Sequence, residues 1–148
     1  MTDTQSMSIV DSRSKPLVLE VGEYLFIRLW RWDEERLVRD AEDDFYKKSA
    51  SGNPPPYYSI SVFALQREEG ECVDDLVDRL VTQTQKRRRS KFYTLVTERE
   101  MRAAGFDWVP APPPPDHFDV PLGESMAAAR FSDLAVTFGN DEKIRMPA

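Results

Sequence analysis

Residues 24–32, YLFIRLWRW, are apolar on both sides of an extended chain. Side chains alternate along a strand, so Tyr24, Phe26, Arg28, Trp30 and Trp32 share one face, and Leu25, Ile27 and Leu29 share the other. A strand with one face in water would show one polar set. This segment therefore predicts an interior strand covered on both sides, or a strand with one face that is itself a binding surface. In either case the rest of the chain must build a sheet around it and pack other elements on that sheet.

The flanking sequence supplies those elements. Residues 17–20 read as a short strand leading through Gly22 into the first. Asp33 is placed to cap a helix with Glu34 and Glu35 in its first turn, Lys47 and Lys48 in its last, and Leu37, Val38, Ala41 and Phe45 as its apolar stripe. Residues 57–66 alternate as a strand, with Tyr58, Ile60, Val62 and Ala64 facing one way and Ser59 and Ser61 the other. The clearest helix is 71–87, where Val73, Leu76, Val77, Leu80 and Val81 recur at i, i+3, i+4, i+7 and i+8. A strand follows at 92–96. Thr97 and Glu100 form a capping-box pattern for a short helix that Gly105 ends. Residues 118–120 suggest a last strand. Ser125 opens a final helix in which Ala127, Phe131, Leu134, Ala135 and Phe138 share a face, with Gly139 as its stop.

This order predicts a single α+β domain over residues 16–148, with a mixed sheet of four or five strands and three or four packed helices. Repeated strand–helix alternation suggests that part of the sheet is parallel, and a three-layer α/β arrangement is the alternative. Residues 1–15 are polar and without periodicity, as in a flexible tail. A chain of 148 residues, 41% hydrophobic and 11% aromatic, holds enough apolar matter for one core. Pro54-Pro55-Pro56 and the run at 110–115 interrupt regular structure, because proline fixes φ and lacks an amide donor. The longer run resembles a polyproline II ligand but lies between structured elements, which suits a stiff connector.

Charge and motif content narrow the function. The net charge of −6 and pI near 4.9 disfavour non-specific attraction to nucleic acid or anionic lipid. The single cysteine, Cys72, excludes an internal disulfide and fits a reducing compartment. The N-terminus lacks the basic and apolar regions of a secretory signal. The longest apolar run, 24–27, is far too short to span a bilayer. A soluble cytoplasmic protein with no membrane partner is expected. Phosphate-loop, dinucleotide, nucleophile-elbow, HExxH and CxxC patterns do not occur.

Five groups of residues remain as candidates. Asp33, Glu34, Glu35, Asp40, Glu42, Asp43 and Asp44 form an acidic segment that suits either a solvated helix face or a surface meeting a basic partner. Trp30 and Trp32 are of the type that dominates interfaces, and equally of the type that fills cores. Lys86, Arg87, Arg88 and Arg89, followed by Ser90-Lys91-Phe92-Tyr93, suit phosphate contacts with stacking, or a helix C-terminus complemented by cations. His117, between Asp116 and Asp119, suits a general base, or a polar residue at the mouth of a strand. Cys72 begins the best helix but is surrounded in sequence by carboxylates that oppose thiolate formation.

The reading that follows is a small, non-catalytic protein-binding or regulatory protein, adaptor- or inhibitor-like, needing no cofactor and no metal. It would meet a larger protein through Trp30, Trp32, Glu42, Asp43 and Asp44. Two alternatives stand beside it: a nucleic-acid- or phosphate-binding protein using residues 86–91, and a small enzyme built around His117.

Overall fold

Strand β1 (Tyr24–Leu29) buries three successive residues, Leu25, Phe26 and Ile27, completely. Successive side chains point to opposite faces, so both faces of β1 are covered, as its two-sided apolar pattern predicts. The computed structural model describes residues 17–29, 34–87, 92–138 and 144–145. Within them β1 lies between β2 (Tyr58–Gln66) and β3 (Phe92–Thr97), and β5 (His117–Gly123) flanks β2. Two-residue strands lie at the edges, β4 (Val109–Pro110) beside β5 and β6 (Ile144–Arg145) beside β3, giving the order β4-β5-β2-β1-β3-β6. Four α-helices pack on this sheet: α1 (Glu34–Ala50), α2 (Val73–Arg87), α3 (Glu98–Ala103) and α4 (Phe131–Thr137). The architecture is the α+β single domain that the element order predicts. The tail expected over residues 1–15 lies outside the described residues.

Strand direction differs from expectation. Every pairing is antiparallel, although strand–helix alternation suggested a parallel part. The cause is the path of α1. Its Asp40 pairs with Arg28 of β1, and Lys48, eight residues on, pairs with Asp119 of β5, two strands away. Eight helical residues rise about 12 Å, and two strand spacings span about 10 Å. The helix thus crosses the sheet rather than running back along it. The chain re-enters at Tyr58, at the end of the sheet where it left β1, and the next strand must run the other way.

The core has a part on each face of the sheet. On one side α2 lays Leu76, Val77, Leu80 and Val81 against Leu25, Ile27, Tyr93 and Leu95. Leu17 and Leu19 join this layer, while Val18 and Glu20 are exposed, so the segment predicted as a strand at 17–20 lays one side on the core without pairing into the sheet. On the other side Leu37 and Ala41 of α1, Met101 of α3 and Phe131, Leu134 and Ala135 of α4 cover Phe26, Ile60, Val62 and Val120.

Local signals hold at α3. Glu100 N donates to Thr97 Oγ1 at 3.2 Å and Thr97 N donates to Glu100 Oε1 at 2.9 Å, both halves of the capping box. The last helix is the second correction. The element expected to open at Ser125 is broken into a 3-10 turn at Met126–Ala128 and α4, with Ala129 extended between them. Arg130 explains the break. Its guanidinium donates to the Ala104 and Gly105 carbonyls at the end of α3 and lies 4.2 Å over the Phe106 ring. These contacts satisfy carbonyls that α3 leaves open. Gly123 fixes the turn on the sheet, since a Cβ there would meet the Ala128 carbonyl oxygen at 2.8 Å. Ala127, expected on the buried face, is consequently exposed.

An ion-paired network closes the α2 side. Glu71 accepts two hydrogen bonds from Arg79, at 3.0 and 2.9 Å, and Arg79 also donates to Gln66 O. Arg67 donates to Glu71 O and to Leu19 O, tying the buried N-terminal segment to the turn before α2. The Arg79 hydrogen bond holds the Glu71 carboxyl below its ordinary value of 4.5.

Replacing Leu76 or Leu80 with Ala should cost about 2–5 kcal/mol in chemical denaturation, the usual effect of deleting a fully buried leucine side chain. Losses under about 1 kcal/mol at both would show that the α2 stripe is not core. For Glu71 the folded pKa lies below the unfolded one. Its stabilisation is therefore complete above the unfolded value and is lost as pH falls through the folded value. The difference in urea midpoint between the wild type and Glu71→Gln should be largest near neutral pH and should close in the acid range below the carboxylate's ordinary value. A gap that stays constant down to acid would contradict the Arg79 assignment.

Candidate functional site

The acidic run of α1 divides by the geometry of the helix. Residues 37, 41, 45 and 48 follow the turn that faces the sheet, and carboxylates next to that line find cations. Asp40 pairs with Arg28 and with Arg36 at 3.2 Å, and Asp44 pairs with Lys48 at 2.9 Å. Lys48 reaches on to Asp119, which also accepts from Ser61. Burial works against the Lys48 charge, but Asp44 and Asp119 outweigh it, and its pKa lies above the ordinary lysine value. Glu35 meets Arg39 at 3.6 Å on the surface, a pair of small energetic consequence.

Glu42 and Asp43 point to solvent. Tyr46, four residues after Glu42 and three after Asp43, is on the same side of the helix and 76% exposed. Its neighbour Phe45 turns inward and stacks on Tyr58, with ring centroids 4.3 Å apart and planes 18° from parallel. The outer face of α1 thus carries an aromatic ring and two carboxylates that have no ion pair among the described residues, on a helix held by packing and ion pairs beneath. Of the acidic residues expected to form a docking surface, Glu42 and Asp43 lie on this face, whereas Asp44 is engaged by Lys48. Trp30 and Trp32 lie outside the described residues. Tyr46 escaped the sequence reading, although the phase of Leu37 and Ala41 places it outward.

A second concentration of negative charge sits on α2. Asp74, Asp75 and Asp78 are spaced at i, i+1 and i+4 and have no ion pair among the described residues. Partial burial and then repulsion from Asp74 and Asp75 push the Asp78 carboxyl up from its usual value. Like-charge spacing of this kind was readable in the sequence.

The histidine and basic candidates are placed differently. His117 Nδ1 lies 2.7 Å from the Ala111 carbonyl oxygen, an arrangement in which the ring nitrogen donates. Its ring is 5.5 Å from that of Phe63. Its backbone joins the same loop, donating to Pro114 O and accepting from Ala111 N. Asp119 faces Lys48 and Ser61, and Asp116 is buried at the turn into β5. Each of the three thus has a local structural role, and they do not converge on one point. Lys86 and Arg87 fall on the last turn of α2, and Arg88 and Arg89 lie outside the described residues. Cys72 is exposed just before α2.

Among the described residues, no group of three or more His, Cys, Asp or Glu side chains is placed to hold a metal ion. Nor is any helix among them long and apolar enough to cross a membrane. No family model matches the chain, and no curated protein or solved structure matches it either.

Proposed function

We propose that this is a non-catalytic protein-binding domain of regulatory or adaptor type, working in the cytoplasm, that docks on a larger protein through the outer face of α1. The observation that carries this reading is Tyr46, 76% exposed beside Glu42 and Asp43. A tyrosine offers a large apolar area and a polar tip with only two side-chain torsions to fix, which is why it recurs at binding hot spots. The two carboxylates beside it complement a basic surface and would speed encounter with one. The Phe45–Tyr58 stack and the Asp40–Arg28 and Asp44–Lys48 pairs hold the backbone under that face, so little ordering is left for binding to supply. Trp30 and Trp32, which lie outside the described residues, are further aromatic candidates for contact with the partner. The exposed lone thiol of Cys72 suits a reducing compartment.

The test starts from the partner that co-purifies with the tagged protein in its native cell. Tyr46→Ala should weaken the complex tenfold or more, about 1.4 kcal/mol for each factor of ten. The double variant Glu42→Lys, Asp43→Lys should slow association, and raising salt should slow the wild type while hardly affecting the variant. His117→Ala should leave affinity within about threefold, because its ring bonds to the domain's own Ala111. Insensitivity to all the α1 changes, together with a large loss when Lys86 and Arg87 are neutralised, would reject this docking face in favour of phosphate binding.

A further inference from the structure

The segment ahead of β1 is half in the core and makes no ladder. Leu17 and Leu19 are buried in the α2 layer, at 9% and 3% exposure, while Val18 between them is 60% exposed. Burying two leucines and ordering the short stretch of chain that carries them are opposing contributions of similar size. The polar contacts of the segment therefore decide how firmly it is held. Among the described residues, the hydrogen bond that reaches Leu17–Leu19 is the one Arg67 Nη1 donates to Leu19 O.

The next four residues are held in another way. The turn from Glu20 to Glu23 is bonded within itself, Glu23 N to Glu20 O at 3.1 Å and Glu20 N to Glu23 Oε1 at 2.7 Å. The end of β2 holds it too, through Gly22 N to Arg67 O at 2.8 Å, Arg67 N to Glu23 O at 2.9 Å and Gln66 Nε2 to Gly22 O at 2.9 Å. Arg99 reaches Glu23 from α3 at 3.0 Å. The density of bonds thus drops sharply between Glu20 and Leu19. Arg67 serves both sides of that boundary. Its main chain fixes the turn, and its guanidinium, steadied by a 2.8 Å bond from Nε to Glu71 O, takes the Leu19 carbonyl.

We infer that Leu17–Leu19 is a strap that opens from the α2 layer as a unit, pivoting at Glu20 and clasped shut by Arg67, while β1 and α2 stay folded. Opening of this kind belongs to segments with few buried contacts and sparse backbone bonds. It would bare apolar side chains of the α2 layer without unfolding the domain. The strap shares no residue with the outer face of α1, and the inference stands whether or not that face docks a protein.

The experiment is labelling of buried thiols by N-ethylmaleimide, read by mass, in the full chain. Cys72→Ser removes the one native thiol. Leu17→Cys and Leu19→Cys then report on the strap, and Val77→Cys, at a fully buried position of α2, reports on the core. Thiols at 17 and 19 should react about a hundredfold or more faster than the thiol at 77, and nearly independently of urea below the unfolding transition, as local opening requires. Adding Arg67→Met should speed both by about tenfold or more, the effect of losing a charge-assisted hydrogen bond. Arg67→Lys keeps the charge but not the fork that spans two carbonyls, and should speed them by about threefold or more. That milder variant keeps the clasp testable should Arg67→Met fail to fold. Labelling at 17 and 19 that is no faster than at 77, or that follows its urea dependence, would mean that the strap opens only with the whole domain and would overturn the inference. Rates at 17 and 19 differing by more than about tenfold would overturn the single unit, and rates unmoved by either Arg67 variant would overturn the clasp.

Discussion

Three consecutive residues of β1 removed from water on both faces of one strand set the conditions for everything else in this domain. Burying a side chain the size of Leu25, Phe26 or Ile27 contributes about 1.5–3 kcal/mol, and only if each face has a complete cover. The two covers are built unequally. One is a single helix, α2, which is not broad enough alone and draws in Leu17 and Leu19 from the segment before β1. The Arg67–Glu71–Arg79 network closes that side by bonding the segment, the turn and the helix together. The other cover is three helices. There the limiting problem is Arg28, a charge in strand register with Phe26 that cannot be left buried without partners. Asp40 and the Ser61 carbonyl supply them. That pairing fixes where α1 crosses β1, and the crossing in turn dictates an antiparallel sheet.

Elements written in local signals were legible. The two-sided alternation read over residues 24–32, the stripe Leu76, Val77, Leu80 and Val81, and the Thr97–Glu100 box each depend on residues within a few positions of one another, and within the described residues each element forms there: β1 over 24–29, α2 and α3. What could not be read rests on partners far away in sequence. The final helix breaks because Arg130 binds carbonyls 25 and 26 residues earlier, and nothing near Ser125 announces this. Residues 17–20 carry strand-like alternation, yet Leu19 O accepts from the Arg67 side chain and Glu20 bonds to Glu23 just ahead, so the segment makes no ladder with a neighbouring strand. The acidic run of α1 looked uniform because only one of its two inward partners, Lys48 at i+4 from Asp44, is local; Arg28 is not. The outward position of Tyr46 follows from helical phase alone, so that part of the candidate site was present in the sequence.

The same division clarifies what an exposed apolar residue means on this surface. Val18, Val21 and Val136 are also well exposed, but isolated surface valines are ordinary in folded proteins and call for no function. Tyr46 differs in its setting. The inner side of α1 already satisfies every requirement of the fold, through Leu37 and Ala41 in the core, Phe45 on Tyr58, and Asp40 and Asp44 in ion pairs. Folding therefore places no demand on the outer side. The large ring and the two carboxylates there have no ring contact or ion pair among the described residues, although Arg39 and Lys47 lie one turn either side of Asp43. Such a face is informative because the fold's own energetics do not account for it.

The proline run at 110–115 has two consequences that come from one missing atom. Without amide hydrogens, Pro112 to Pro115 cannot template pairing along the edge of the sheet, which protects an antiparallel edge from joining another chain. The ladder between β5 and β2 stops short of Leu65 and Gln66 for the same reason, and a cleft of about 290 Å³ lies there. His117 then holds the run against β5 through both its backbone and its ring. His117, one of the candidates for chemistry in the sequence, is thus the fastening of the loop that leads into β5.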